Sequence, residues 1–267
     1  MIIRSLADEL DSGEVDEDAA WHLVEESQRG TALPVLLIPQ PAHAVLAGDL
    51  AEALLPGAFG ELPATVLRAI RMHDTGWGIL DAAQINRLRT PPGRQEDKGR
   101  KPSSADVISF LAVTPSEAVE AWKSSVDEME KIAPECGHIV SQHFSLLASS
   151  DDRVHAVFMK QERTRRERLL KIVKSSVADL ERWTDALGFC DLLSLYLCSG
   201  VKAAATLPRC HPCRKSKSPP IRVRQEGENL VLSEPWIRPG TRVGIHGLRH
   251  PAPPAGSAAQ EVRWRFD

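Results

Sequence analysis

Four places in the sequence set a charged or imidazole side chain into an otherwise apolar helical pattern. His43 lies in PAHAVLAG, and His73-Asp74 closes a run with Val66, Leu67 and Ile70 on one face. His143 lies in IVSQHFSLL, and Asp191 in GFCDLLSLYLC. Asp191 is the most telling of these. Its sequence neighbours are Phe189, Cys190, Leu192, Leu193 and Leu195, and burying a carboxylate among such residues is costly unless it is paired or binds a metal. Taken singly, each place has a plainer reading. His43 and His143 could be hydrogen-bonded helix histidines, His73-Asp74 a helix terminus, and Asp191 the partner of an arginine. A metal ion held by imidazoles and carboxylates would satisfy all four together.

These residues need elements to position them. Pro39 and Pro41 stop the apolar run Val35–Ile38, which reads as a strand, and Pro41 can open a helix. Val45, Leu46, Leu50, Ala53 and Leu54 then recur at three- and four-residue steps, which predicts a helix from Ala42 to Leu55. Pro63 opens the helix that runs into His73-Asp74, and Gly76 and Gly78 loosen the chain after it. Residues 86–105 are polar and rich in Pro and Gly, so they read as a long loop. Thr114-Pro115-Ser116-Glu117 starts a helix to about Ile132, and Pro134 starts one through Ala148. Asp151 precedes a long helical segment from Asp152 to about Thr184, followed by an apolar helix over Leu187–Cys198. Met1–Ser5 and Trp21–Glu25 read as short strands, as do Ile221–Arg224, Asn229–Leu232, Arg242–Ile245 and Glu261–Phe266 in the tail. The fold class expected is mainly α, a helical bundle with short β-strands at the N-terminus and in the C-terminal tail. No internal repeat is visible.

Composition narrows the classes. With 267 residues, 42% apolar and 26% charged, the chain is an ordinary globular one. No apolar run approaches the ~20 residues of a membrane span, and the acidic start has no signal-peptide core. Five scattered cysteines do not make a disulfide framework, so a reducing cytoplasm is the expected compartment. Charge is uneven. Residues 1–30 carry nine acids against two bases, and residues 201–267 carry twelve bases against five acids with nine of the nineteen prolines. This divides the chain into a helical body, 1–200, and a basic Pro-rich tail, 201–267. The tail's charges are interleaved with Pro and Gly rather than arrayed on a helix, which argues against nucleic acid. Mutual attraction of the two ends, or plain solvation, explains them better.

The order His, His-Asp, Asp on helices resembles the HD superfamily of metal-dependent phosphohydrolases. That resemblance implies an all-helical fold with a divalent ion held by His43, His73, Asp74 and Asp191. The segment His73-Asp74-Thr75-Gly76 fits the superfamily's His-Asp-any-Gly pattern, while Trp77 stands where a Lys frequently follows. The runs HDTGWGILDAA, PAHAVLAGDLAEAL and SQHFSLL, with Gln40-Pro41-Ala42-His43, are similar to a bacterial HD-like family of unknown function over about residues 35–200. A hydrolase of a phosphate ester, such as a nucleotide, is the activity implied. A bound ion lowers the pKa of its water and polarises a phosphoryl oxygen. Mixed nitrogen and oxygen ligands do not choose among Mn, Mg, Fe, Ni and Zn. His143 is the candidate general acid, substrate-orienting group or ligand of a second ion, with His138 its competitor. Asp81, seven residues after Asp74, is a candidate for the shell behind the ligands. Arg68, Arg71, Arg163, Arg165 and Arg166 could face a phosphate, although the last three read better as a solvated helix face. Cys210-His211-Pro212-Cys213 has zinc-knuckle spacing without a second pair, and a plain linker explains it more simply.

Three rivals stay open. The same pocket could serve a non-catalytic metal or nucleotide sensor, the polar residues could simply hydrogen-bond in a core, or the metal could serve redox chemistry as in the oxygenase branch of HD-like proteins. Substrate, metal count and a homo-oligomer are not decided by the sequence.

Overall fold

Val35–Ile38 is a strand as expected, but it has partners on both sides, and one of them lies more than two hundred residues away. The computed structural model describes residues 1–6, 18–29, 33–89, 106–215, 218–253 and 257–267. Most of the acidic N-terminal stretch and most of the expected loop, from residue 90 to 105, lie outside the described residues.

The helices are α1 (Ala20–Ser27), α2 (Gln40–Ala53), the single turn α3 (Pro56–Phe59), α4 (Ala64–Met72), α5 (Gly78–Arg89), α6 (Pro115–Ile132), α7 (Pro134–Leu147), α8 (Arg153–Leu169) and α9 (Val177–Ser199). The strands are β1 (Ile2–Ser5), β2 (Asp18–Ala19), β3 (Val35–Ile38), β4 (Ala205–Leu207), β5 (Ile221–Glu226), β6 (Asn229–Leu232), β7 (Arg242–His250) and β8 (Ala259–Phe266). They form one mixed sheet in the order β1-β3-β7-β8-β6-β5-β4-β2.

This sheet corrects the expectation of a mainly α helical bundle: the chain is an α and β protein whose curled sheet joins residues from both ends. β1 pairs antiparallel with β3 (Ile2 opposite Ile38), β3 with β7 (Leu36 opposite Arg249), and β2 lies parallel to β4. The body and the tail therefore share one sheet. Four of the five tail strands are those expected from the sequence, for instance β5 with buried Ile221 and Val223 against exposed Arg222 and Arg224, and β4 is the one the sequence did not show. Which strands pair is set by long-range burial, and no local pattern carries it.

Most helices pack on this sheet through its main core, while Ile85 and Leu88 of α5 pack on Met1, Ile3, Val35 and Leu37 in a second, smaller one. Val223, Leu230, Val243, Ile245, Trp264 and Phe266 meet residues of α2, α4, α7 and α9 in the main core. Trp77, Trp122, Trp183, Trp236 and Trp264 are buried, as core tryptophans should be. Local signals held at most helix starts. Thr114 and Glu117 form a reciprocal capping box on α6. Two readings fail. Trp21–Glu25 belongs to α1, where Ala20, Leu23 and Val24 are buried at helical spacing. The long segment expected over 152–184 breaks after Leu169, and Ser176 starts α9 by accepting a hydrogen bond from Asp179 N.

Two close approaches set the helices that matter for function. A Cβ on Gly48 of α2 would lie 2.5 Å from the Arg71 Cβ of α4, so glycine lets these helices cross tightly. A Cβ on Gly76 would lie 2.0 Å from the Ala121 carbonyl oxygen, and Gly76 N donates to Ser125 Oγ at 2.9 Å. The turn after His73-Asp74 is thereby pressed onto α6.

Candidate metal centre

Three elements converge in the core. α2 supplies His43, the end of α4 supplies His73 and Asp74, and α9 supplies Asp191. All four side chains are buried. One ligand atom each from His43, His73 and Asp191 falls within 4.8 Å of the others, a grouping able to hold a metal ion. Asp191 Oδ1 lies 3.2 Å from His73 Nε2 and 3.6 Å from His43 Nε2. Asp74 Oδ2 lies 3.6 Å from His73 Nε2 and 2.7 Å from His43 Nε2. Separations of this size suit neighbouring ligands on one ion with bonds of roughly 2.0–2.2 Å.

Hydrogen bonds fix which nitrogen of each ring faces inward. His73 Nδ1 donates to the Ile70 carbonyl at 2.8 Å, which leaves Nε2 toward the carboxylates. The Ser194 hydroxyl donates to the Asp191 carbonyl at 2.8 Å, so its oxygen accepts from His43 Nδ1, also at 2.8 Å. His43 therefore also turns Nε2 inward. These are the outer-shell bonds a metal-ligating histidine needs.

The electrostatics call for a cation. Burial opposes a charge on His73, but the Asp74 and Asp191 carboxylates and the Ile70 carbonyl outweigh it and hold the imidazole pKa up at about 9. Burial would raise Asp74 too, yet His73 and His43 hold it below the ordinary carboxylate range. Protons shared between Nε2 atoms and carboxylates thus occupy the place where a divalent ion's charge would fit. The donor set passes the test for a metal on its own chemistry.

His143 of α7 joins the group from the other side. Its Nε2 is 3.7 Å from Asp191 Oδ2, and its ring meets that of His73 edge to face with centroids 5.4 Å apart. Burial, with the neighbouring His211, His73 and His43, pushes its pKa well below the ordinary value, so it is neutral. His138 does not take this place. Burial and the Arg166 cation push it down to about 4. The sign gives a prediction. Its folded pKa lies below its unfolded one, so acidification from pH 6.5 toward 4 protonates the unfolded chain first and lowers stability. The loss should reach roughly 3 kcal/mol near pH 4. Chemical denaturation of the native protein and His138→Gln across that window checks it: the variant's stability should fall less steeply, and parallel curves would refute it.

Asp81 stands outside the cluster. Its Oδ1 ion-pairs with the Met1 amino group at 2.8 Å, and its Oδ2 accepts from Gln40 N at 2.6 Å. It secures the first turn of the helix that carries His43. Three of the five arginines offered for a phosphate are engaged elsewhere. Arg71 pairs with Asp49 and Glu52, Arg165 with Asp127, Glu130 and Glu162, and Arg166 donates to Ser141 and Ser145.

Sequence reasoning missed Ser194 and His211. Ser194 had a faint signal, three residues after Asp191 on one helix. His211 had none, because its position depends on how the tail returns. Its Nε2 lies 3.0 Å from His143 Nδ1, and its Nδ1 accepts from Cys213 N at 3.2 Å. With both nitrogens so used, His211 does not join Cys210 and Cys213 in a knuckle. All five cysteines are free, and burial pushes the Cys190 and Cys198 thiols up, so they are inert. Among the described residues no helix is long and apolar enough to cross a membrane.

No curated protein and no solved structure matches this sequence. A family model described as a protein of unknown function matches residues 27–246, a span that contains every residue of the cluster together with His143 and His211. The chain belongs to that family of proteins of unknown function, DUF3891.

Proposed function

We propose that the protein is a metal-dependent hydrolase of a phosphate ester, with nucleotides among its substrates, and that its centre works as in the HD superfamily that the sequence resembles. The supporting observation is the convergence of His43, His73, Asp74 and Asp191 in one buried cluster, with both imidazoles turned Nε2-inward by dedicated hydrogen bonds. A bound divalent ion, whether Mn, Mg, Fe, Ni or Zn, would supply a water of lowered pKa and a Lewis acid for a phosphoryl oxygen.

The chain's own groups do the rest. His43 and His73 offer lone pairs, and His73 gives up its Nε2 proton on loading. Asp74 and Asp191 offset the positive charge. His143, neutral and facing Asp191, is placed to deliver a proton to the leaving oxygen. Asp81 and Ser194 hold the His43 helix and ring in place.

The test is phosphate release from aryl phosphates and a panel of nucleotides, with the protein chelated and then reloaded with each metal. Release that vanishes on chelation and returns on loading is expected. Stoichiometric metal without release from any ester would overturn the hydrolase reading in favour of a metal-binding sensor. One observation favours that second reading: the partners around the cluster are His, Asp, Ser and a backbone carbonyl, while buried Trp77 stands where the superfamily's Lys frequently lies.

A further inference from the structure

We propose that His211 is a positioning residue of this centre: it fixes the proton of His143 on Nε2, so that His143 faces the cluster as a proton donor and not as a third imidazole ligand. The inference rests on the reading above only for the use to which that proton is put.

The loop that carries His211 is built onto α9. Asp185 Oδ1 accepts from His211 N at 3.0 Å and from Arg214 Nη1 at 3.1 Å, which pins both sides of the turn. Gly188, one turn along the same helix, makes room for the ring. A Cβ there would lie 2.5 Å from His211 Cδ2 and 2.9 Å from Pro212 Cδ. The ring is fully buried against His143, with centroids 5.0 Å apart.

The protons then follow in order. Cys213 N–H can only donate, so His211 Nδ1 accepts and carries no proton. A neutral His211 must then carry its proton on Nε2. That nitrogen donates across 3.0 Å to His143 Nδ1. His143 Nδ1 is thereby an acceptor, and its own proton sits on Nε2, the atom that faces Asp191. His43 and His73 have the opposite arrangement, with Nδ1 donating and Nε2 turned inward. The fold thus prepares two imidazoles as ligands and a third as a donor. One ion, not two, is the expected complement.

Imidazole nitrogen NMR on the full-length chain reads this directly. In the chelated native protein His143 should show a protonated Nε2 and an unprotonated Nδ1, and loading with Zn should leave that pattern intact while His43 and His73 change. His211→Leu should let His143 redistribute toward the Nδ1-protonated form and lower kcat on phosphate esters by roughly 10–100-fold at unchanged metal content. His211→Gln should restore most of both, because its amide nitrogen can donate to His143 and its carbonyl can accept from Cys213 N. A native His143 protonated on Nδ1, or an Nε2 that becomes a ligand on loading, would overturn the proposal without any variant. The expected tautomer in a protein that binds no metal would uphold the positioning by His211 and sink the hydrolase reading alone.

Discussion

Asp191→Ala and His73→Ala each lower metal affinity by more than about a hundredfold while the protein stays folded. The magnitude follows from where these residues stand. Changes to groups behind the ligands typically cost 10–100-fold in affinity, and these two substitutions remove ligands outright. Asp191 Oδ1 faces both imidazoles, at 3.2 and 3.6 Å, so its loss leaves His43 and His73 only Asp74 as a shared anion. His73→Ala leaves Asp74 and Asp191 close together in a buried site without the imidazole that offsets them. Elemental mass spectrometry after equilibration with Mn, Fe, Ni or Zn checks this. About one equivalent is expected in the native protein and almost none in either variant. Ser194→Ala supplies the intermediate step: it keeps every ligand but frees the His43 ring, and should weaken binding by roughly 10–100-fold. Metal retained in both Ala variants, with each folded by circular dichroism, would remove these residues from the ligand set. A native protein that takes up none of the four metals would make the cluster a buried hydrogen-bonded network.

How much of this site was legible follows from how far each cue reaches. His43, His73, Asp74 and Asp191 stood out because a polar residue inside a helical apolar stripe is anomalous over a window of a dozen residues. Burial of all four agrees with that reasoning. Thr114-Pro115-Ser116-Glu117 was readable for a similar reason, since a capping box is complete within four residues. The sheet was not readable in this way. Its strands showed alternation, but the pairing of Leu37 with Leu248, or of Asp18 with Ala205, joins residues some two hundred positions apart. Helical periodicity is complete within one short window and strand pairing is not, so the sequence reads as a helical bundle in which a mixed sheet shared by both ends of the chain shows only as short additions. His211 was invisible for the same reason. Its neighbours Pro212 and Cys213 suggested a linker, and only the return of the tail onto Gly188 and Asp185 gives it a role. The unusual charge of the tail had a structural explanation as well: Arg222 and Arg224 alternate with buried Ile221 and Val223 along β5, as the solvent side of a strand should.

His143→Gln separates ligand from proton donor most sharply. If His143 supplies a proton to the leaving oxygen, the variant keeps its metal and loses about 10²–10⁴-fold in kcat on esters with poor leaving groups, such as nucleoside monophosphates. On an aryl phosphate whose leaving group departs as a stable anion, protonation is not needed and the loss should be far smaller. That contrast is what a general structural defect would not produce, since misfolding lowers both rates together. Glutamine suits the test: its amide can still hydrogen-bond near Asp191, but it cannot release a proton at neutral pH. KM should change little, because the residue is asked to act in the transition state and not in ground-state binding. Equal losses on both substrates with metal content unchanged would reject the donor role, and loss of the metal itself would make His143 a ligand. The burial that keeps His143 neutral bears on the outcome as well. An imidazole held well below its ordinary pKa is a poor store for an extra proton, so the proton it gives is the one on its neutral Nε2. The anionic form this would leave is unaffordable in a dry core, so Nε2 must recover a proton as it gives its own, and the attacking water, which loses one as it adds to phosphorus, supplies it. The hydrogen bond of 3.0 Å from His211 keeps Nδ1 an acceptor throughout, and the rate loss in His143→Gln therefore measures the pair and not one residue alone.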